Sequence, residues 1–136
     1  LRDDLKSANI ELINGSWDND NYSDDFIHDL YTEASVTIIP IKNSLQPSGQ
    51  SVALQSMSSG TPVIITKTDG FWEPEVFRDS ENIFFANKNS VTEWEEKINN
   101  VMDDSKLMNY VATNARDTVV ENNNLETFNR KLEELI

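Results

Sequence analysis

Leu45-Gln46-Pro47-Ser48-Gly49-Gln50-Ser51-Val52-Ala53-Leu54-Gln55-Ser56-Met57-Ser58-Ser59-Gly60-Thr61-Pro62-Val63-Ile64-Ile65 is the stretch that decides the fold. Before it stands a short apolar run, Val36-Thr37-Ile38-Ile39. Continuous apolar runs of this length suit strands covered on both faces. After the run comes a loop with one glycine, Gly49. A helix is expected from Gln50 or Ser51 to Ser59, closed by Gly60, followed by a second buried strand over Pro62 to Thr66. Strand, glycine turn and helix N-terminus form the geometry of an anion site in an α/β sheet. Free backbone N–H groups and the positive end of the helix dipole face whatever lies beyond the strand end.

Working outward, the same alternation of short strands and helices covers the chain. Asn9 to Asn14 alternates and reads as a short strand closed by Gly15. Ser16 to Ser23 reads as a solvated loop, because its Asp/Asn-rich run lacks the glycine and distal glutamate of an EF-hand loop. Ser23 or Asp24 caps a helix to about Glu33, with Phe26, Ile27, Leu30, Tyr31 and Ala34 on one face and His28 near the polar side. Glu73 to Arg78 reads as a short helix and Asn82 to Ala86 as the last strand. Thr92 to Met102 is a helix with Trp94, Ile98, Val101 and Met102 inward. Ser105 caps a helix carrying Leu107, Met108, Val111, Ala112, Ala115 and Val119. Asn124 caps the final one, with Leu125, Phe128, Leu132 and Leu135 on its stripe. Strands alternating with helices predict an α/β fold with a parallel sheet and flanking helices.

Composition narrows the function. The 136 residues hold one domain at most. Lys and Arg number 11 against 24 Asp and Glu, a net charge of −13. Such a surface argues against nucleic acid or an anionic membrane as partner, since both need basic residues to displace counterions. Any bound phosphate must then be held by backbone N–H groups and a few local cations. There is no cysteine, hence no disulfide framework or thiol chemistry. No apolar run approaches the roughly 18 residues of a membrane span, and no signal peptide opens the chain. The start, Leu1-Arg2-Asp3-Asp4-Leu5-Lys6, reads as the tail of a helix.

The central stretch resembles the donor-site signature of the GT-B glycosyltransferases of the family 4 type (group 1). Gly60-Thr61-Pro62-Val63-Ile64 matches the small-residue helix end and Gly-x-Pro-Val strand of that family. Thr68-Asp69-Gly70-Phe71-Trp72-Glu73-Pro74-Glu75 matches its glycine-containing segment after the next strand. Asp79-Ser80-Glu81-Asn82-Ile83-Phe84-Phe85 is similar to its last turn and strand, with Ser80 and Ile83 where the family has glycines. The resemblance covers roughly Asn9 to Ile136. It implies the back half of a Rossmann-like C-terminal domain with strand order 3-2-1-4-5-6. Residues 1–136 would be a single, truncated domain binding a nucleotide-sugar. Asn9 to Asn14 would be strand three, left without its neighbour or shifted beside Val36 to Ile39. The shift would keep a right-handed crossover but leave one sheet face stripped of its helices, which favours self-association.

The site residues follow from the same resemblance. Ser48, Gly49, Gln50, Ser51 and Val52 occupy the positions that lie on the donor diphosphate and sugar. Gln55 stands where a glutamate holds the ribose hydroxyls, and an amide still bonds two hydroxyls. Pro47 stands where another glutamate binds the donor sugar, so Gln46 or Ser48 would substitute. Pro40, Ile41 and Asn43 are candidates for the base, and Asp69, Gly70, Phe71 and Trp72 face the same crevice from the next strand. Trp72 is open to two readings: packing on a sugar, or serving as a lid or core aromatic.

The resemblance further implies retaining transfer of a hexosyl group from a nucleoside-diphosphate sugar to a glycan, lipid or protein acceptor, in bacterial-type polysaccharide biosynthesis in the cytoplasm. It implies no metal and no resident cofactor. The acceptor site and the catalytic side chain would belong to an N-terminal domain of the same protein, so these residues alone are expected to turn over nothing. Two alternatives stand beside it: a non-catalytic nucleotide- or phosphate-binding module, consistent with the missing carboxylates, and a receiver-like domain. The receiver reading needs an aspartate at a strand end, where this chain offers Asn14, Pro40, Thr66 and Ala86.

Overall fold

A computed structural model describes residues 8–13 and 22–136. Its centre is a parallel sheet of three strands, β1 (Thr37–Ile39), β2 (Val63–Thr66) and β3 (Phe84–Ala86), in the order β1-β2-β3. Thr37, Ile38 and Ile39 align with Val63, Ile64 and Ile65, and Ile64, Ile65 and Thr66 with Phe84, Phe85 and Ala86. Among the described residues the helices are α1 (Asp24–Glu33), α2 (Gln50–Ser58), α3 (Val91–Asp103), α4 (Ser105–Asn122) and α5 (Leu125–Glu133). The expected α/β architecture is the observed one.

The two-residue period of the strands sorts the core into two layers. Ile39, Val63, Ile65, Ile83 and Phe85 cluster with Ala53 and Met57 of α2, Ala115 and Val119 of α4, and the aromatics Phe71, Trp72 and Phe77. Ile64 and Phe84 cluster with Val101 of α3 and Val111 of α4. Ile38 stands in register with Ile64 and Phe84 yet is 41% exposed. The second layer therefore covers β2 and β3 and stops short of β1.

Four helices start on a side-chain cap: Ser23 for α1, Ser90 for α3, Asp104 for α4 and Asn124 for α5. Each accepts a hydrogen bond from the backbone N–H three residues on. The cap of α4 is Asp104, one residue before the expected Ser105, because its carboxylate reaches the Leu107 N–H at 2.9 Å. At the start of α3 the Glu93 carboxylate also turns back, accepting the backbone N–H groups of Asn87 and Lys88. Burial pushes the Glu93 carboxyl upward, but backbone N–H groups of Asn87, Lys88 and Asn89 and the Lys88 charge outweigh it, and the net shift is downward. The folded value lies below the unfolded one of about 4.3, so the contribution is complete above that pH and is lost as pH falls through the folded value. The stability difference between the parent chain and E93Q should thus be full at neutral pH and shrink in acid. A difference that stays constant with pH would show that the charge plays no part.

Four expectations are corrected. Residues 9–13 form no strand and lie exposed, because nothing described pairs with them. Asn14, Gly15, the loop from Ser16 and the start at Leu1 to Lys6 lie outside the described residues. Glu73 to Arg78 is a turn, not a helix. Glu73 takes a positive φ of 42°, Pro74 follows, and the Asn82 amide holds the segment by accepting from Arg78 N–H (2.8 Å) and donating to the Val76 carbonyl (2.9 Å). This turn drives Phe77 into the core. Met102, read as inward, is exposed, and so are Leu125, Phe128, Leu132 and Leu135. Their periodicity makes an apolar stripe, but no described element covers it.

Candidate functional site at the carboxyl ends of the strands

The loops after β1, β2 and β3 gather at the carboxyl edge of the sheet, where ligands bind in open α/β folds. The loop after β1 ends at Gly49, the N-cap of α2, with φ +74° and no side-chain cap. Glycine is required twice. The left-handed conformation disfavours a side chain, and a Cβ here would lie 2.9 Å from Ile39 Cγ2 and 3.3 Å from Ile65 Cδ1. The helix is thereby seated directly on the ends of β1 and β2. Gly49 accepts the first helical bond, from Ala53 N–H at 2.9 Å. The N–H groups of the first turn have no partner within the helix. At the other end Gly60 (φ +81°) closes α2, with Gly60 N–H on Met57 and Thr61 N–H on Ser56, both 3.0 Å.

Ser51 and Val52 are exposed on the first turn of α2, with Gly49 and Gln50 half-buried and Ser48 just before them. Gln55 lies one turn further on the same exposed side. Its Oε1 accepts from the Tyr31 hydroxyl at 3.4 Å, and burial pushes that hydroxyl up, so it stays a neutral donor. Pro40 is exposed immediately past β1.

Other candidates sit differently. Phe71 and Trp72 are buried at 9% and 8% exposure. They stack on each other at 4.1 Å, and Phe71 meets Phe85 edge-on at 4.9 Å. Of the two readings of Trp72, the core aromatic is the observed one, and Phe71 shares it, because the β2–β3 connection has no helix of its own and must fill that layer with rings. Asn43 is engaged with Asp69: its Nδ2 donates to Asp69 Oδ2 at 2.8 Å, and its Oδ1 accepts from Asp69 N–H at 2.9 Å. Gly70 lies against the β1–α2 loop, its N–H donating to the Ser44 carbonyl at 2.8 Å.

Two features went unread in the sequence. Between Glu33 and Asp69 there is no acidic residue, while Lys42 and Lys67 fall inside that span. In a chain of net charge −13 the loop and first turn of α2 are thus spared negative charge. Asn89, with φ +50°, reaches from the loop after β3 to the loop after β1. Nothing in its local sequence context marks that role.

Comparison with known proteins agrees with this fold. The model of the glycosyl transferases group 1 matches residues 20–118. No curated protein matches the chain. Among solved structures, the C-terminal domain of a glycosyl transferase group 1 family protein (LpcC) from Francisella tularensis is similar with a TM-score of 0.66 and 24% identity, over 91% of this chain and 60% of that one. HepE from Anabaena, solved in complex with UDP, gives a TM-score of 0.67 at 22% identity over 78% of this chain. Its complex with UDP and glucose gives 0.63 at 22% identity. This chain spans 28% of the length of HepE. No helix among the described residues is long and apolar enough to cross a membrane. With most of its length matched by the family model, and its parallel sheet shared with these structures, the chain belongs to the glycosyl transferases group 1.

Proposed function

We propose that this chain is the donor-binding part of a retaining glycosyltransferase, which holds the diphosphate of a nucleoside-diphosphate sugar at the N-terminus of α2. The observation that carries the reading is the N-terminus of α2: it ends on glycine with no side-chain cap, sits at the strand ends, and has no acidic residue in its first turn. As the glycosidic bond breaks, negative charge grows on the departing diphosphate. N–H groups and a helix dipole aimed at that oxygen stabilise the charge without reorganising. Gln55 is placed one turn on for the ribose hydroxyls, its carboxamide oriented by Tyr31. Sugar hydroxyls would fall to Gln46 or Ser48, since Pro47 offers no polar side chain. HepE is solved with UDP, which makes UDP the first donor base to test. No metal is needed in this reading, because the helix end supplies the positive pole. The acceptor site and the groups acting on it are assigned to the rest of the protein.

Titration calorimetry of UDP, GDP, ADP and their sugars against the full-length protein tests this, with Ser51→Asp as the control. A carboxylate in the first turn favours the helix dipole, so S51D should keep or raise the unfolding midpoint. It should nonetheless weaken the selected nucleotide by at least about tenfold, ~1.4 kcal/mol, and EDTA should leave the parent's affinity unchanged. Equal binding by S51D and the parent would place the diphosphate elsewhere. The absence of carboxylates at Pro47 and Gln55 supports a second reading, binding without transfer. Nucleotide-sugar that binds selectively but is never consumed by the full-length protein in the presence of glycan acceptors would favour it.

A further inference from the structure

We propose that the Asn43–Asp69 pair is a positioning device that locks the β1–α2 loop, and with it the start of α2, in the conformation that accepts the diphosphate. The inference rests on the donor-binding reading above and assigns Asn43 a role other than touching the base. Both ends of the Asn43 carboxamide are used within the protein, one on the Asp69 carboxylate and one on the Asp69 backbone N–H. Beside this ring the two loops come into direct backbone contact. The Gly70 N–H donates to the Ser44 carbonyl, and the Ser44 hydroxyl accepts from Gln46 N–H at 3.0 Å. The start of the same loop is gripped independently. Ile41 N–H donates to Thr66 Oγ1 at 3.2 Å, and the Ile41 carbonyl accepts from Asn89 Nδ2 at 3.1 Å. Thr66 in turn donates to Asn89 Oδ1, which also accepts from Trp94 Nε1.

The segment from Ile41 to Gln46 is thus tied to the loops after β2 and β3, and it leads straight to Gly49. Asn43 and Asp69 are both exposed. Hydrogen bonds between exposed side chains contribute little to global stability. Their effect falls on local geometry instead, and backbone N–H groups aimed at a diphosphate tolerate little misplacement. A clasp that neither touches the ligand nor holds the core therefore shows itself in affinity and not in the unfolding midpoint.

The test uses full-length protein titrated with UDP, GDP and ADP, following whichever nucleotide the parent binds. N43A removes both bonds at unchanged net charge and should weaken binding about tenfold or more, with the unfolding midpoint within about 2 °C of the parent, since the sites are exposed. The double exchange N43D/D69N also keeps the parent's net charge and restores the pairing with donor and acceptor reversed. It should recover affinity to within about threefold. Parental affinity in N43A overturns the proposal. So does a double exchange that binds no better than N43A, which would mean that Asn43 itself meets the ligand. A parent that binds none of the three nucleotides overturns the donor-binding reading, and the clasp's role with it.

Discussion

Gly70→Ala is expected to separate the loops after β1 and β2 and to cost the full-length protein about a hundredfold in nucleotide affinity, ~2.7 kcal/mol. A Cβ at this position would stand 2.3 Å from both the carbonyl carbon and oxygen of Leu45, and 2.8 Å from Gln46 N. All three neighbours are backbone atoms, so no rotamer change relieves the overlap. Loop 43–46 must move as a body, and the Asn43–Asp69 ring and the Gly70–Ser44 bond must open with it. Overpacking of this kind costs typically about 1–3 kcal/mol of stability. Here the larger share of the effect is expected in binding, because the displaced loop leads into Gly49 and α2 while the core beneath stays filled. Calorimetric affinity together with the thermal midpoint decides the matter. An alanine variant that binds like the parent would show that the approach of the two loops has no bearing on the donor site.

Phe77→Ala should produce the largest loss of stability, about 3–5 kcal/mol, with a fall in unfolding midpoint of roughly 10–20 °C. Phe77 is 1% exposed and lies edge-on to Phe71 at 6.2 Å and to Trp72 at 5.7 Å. It enters the core from a turn that has no helix to compensate, and the Asn82 carboxamide fixes that turn. The same amide donates to Thr118 Oγ1 of α4 at 3.0 Å. The cavity left by truncation therefore cannot close by sliding the segment inward. Chemical denaturation of this chain measures the effect. A loss below about 1 kcal/mol, the scale of a surface substitution, would show that the aromatic layer is not what anchors the β2–β3 connection.

The parts of the fold that were legible in the sequence are those fixed by short-range chemistry. Apolar runs at Val36 to Ile39 and Pro62 to Thr66 announced buried strands. Gly49 and Gly60 bracketed α2, and Ser23 and Asn124 announced their helices through side chains able to accept an N–H. What failed depends on long-range partners. Residues 9–13 carry a strand pattern, but a strand exists only where another pairs with it. Glu73 to Arg78 has helical composition, yet the Asn82 amide and the positive φ at Glu73 impose a turn that local propensity cannot foresee. The stripe Leu125, Phe128, Leu132 and Leu135 is real as a pattern, and the pattern says nothing of what it meets. The start of α2 at Gly49 was readable because a helix start is a local feature. The burial of Phe71 and Trp72 was not, since the same residues suit a sugar platform or a core. Asn43, Asp69 and Asn89 act across loops far apart in sequence, and no spacing rule joins them.

The bare start of α2 has a consequence for how long such a protein lasts. Among the described residues no side chain caps the first turn of α2, so the diphosphate proposed to bind there would serve as both substrate and cap. Ligand that binds only the native form adds about 2.7 kcal/mol at a hundred times its dissociation constant. In the donor-binding reading, the donor pool would then set the survival of the polypeptide against proteolysis, and a shortage of activated sugar would be expected to speed its clearance.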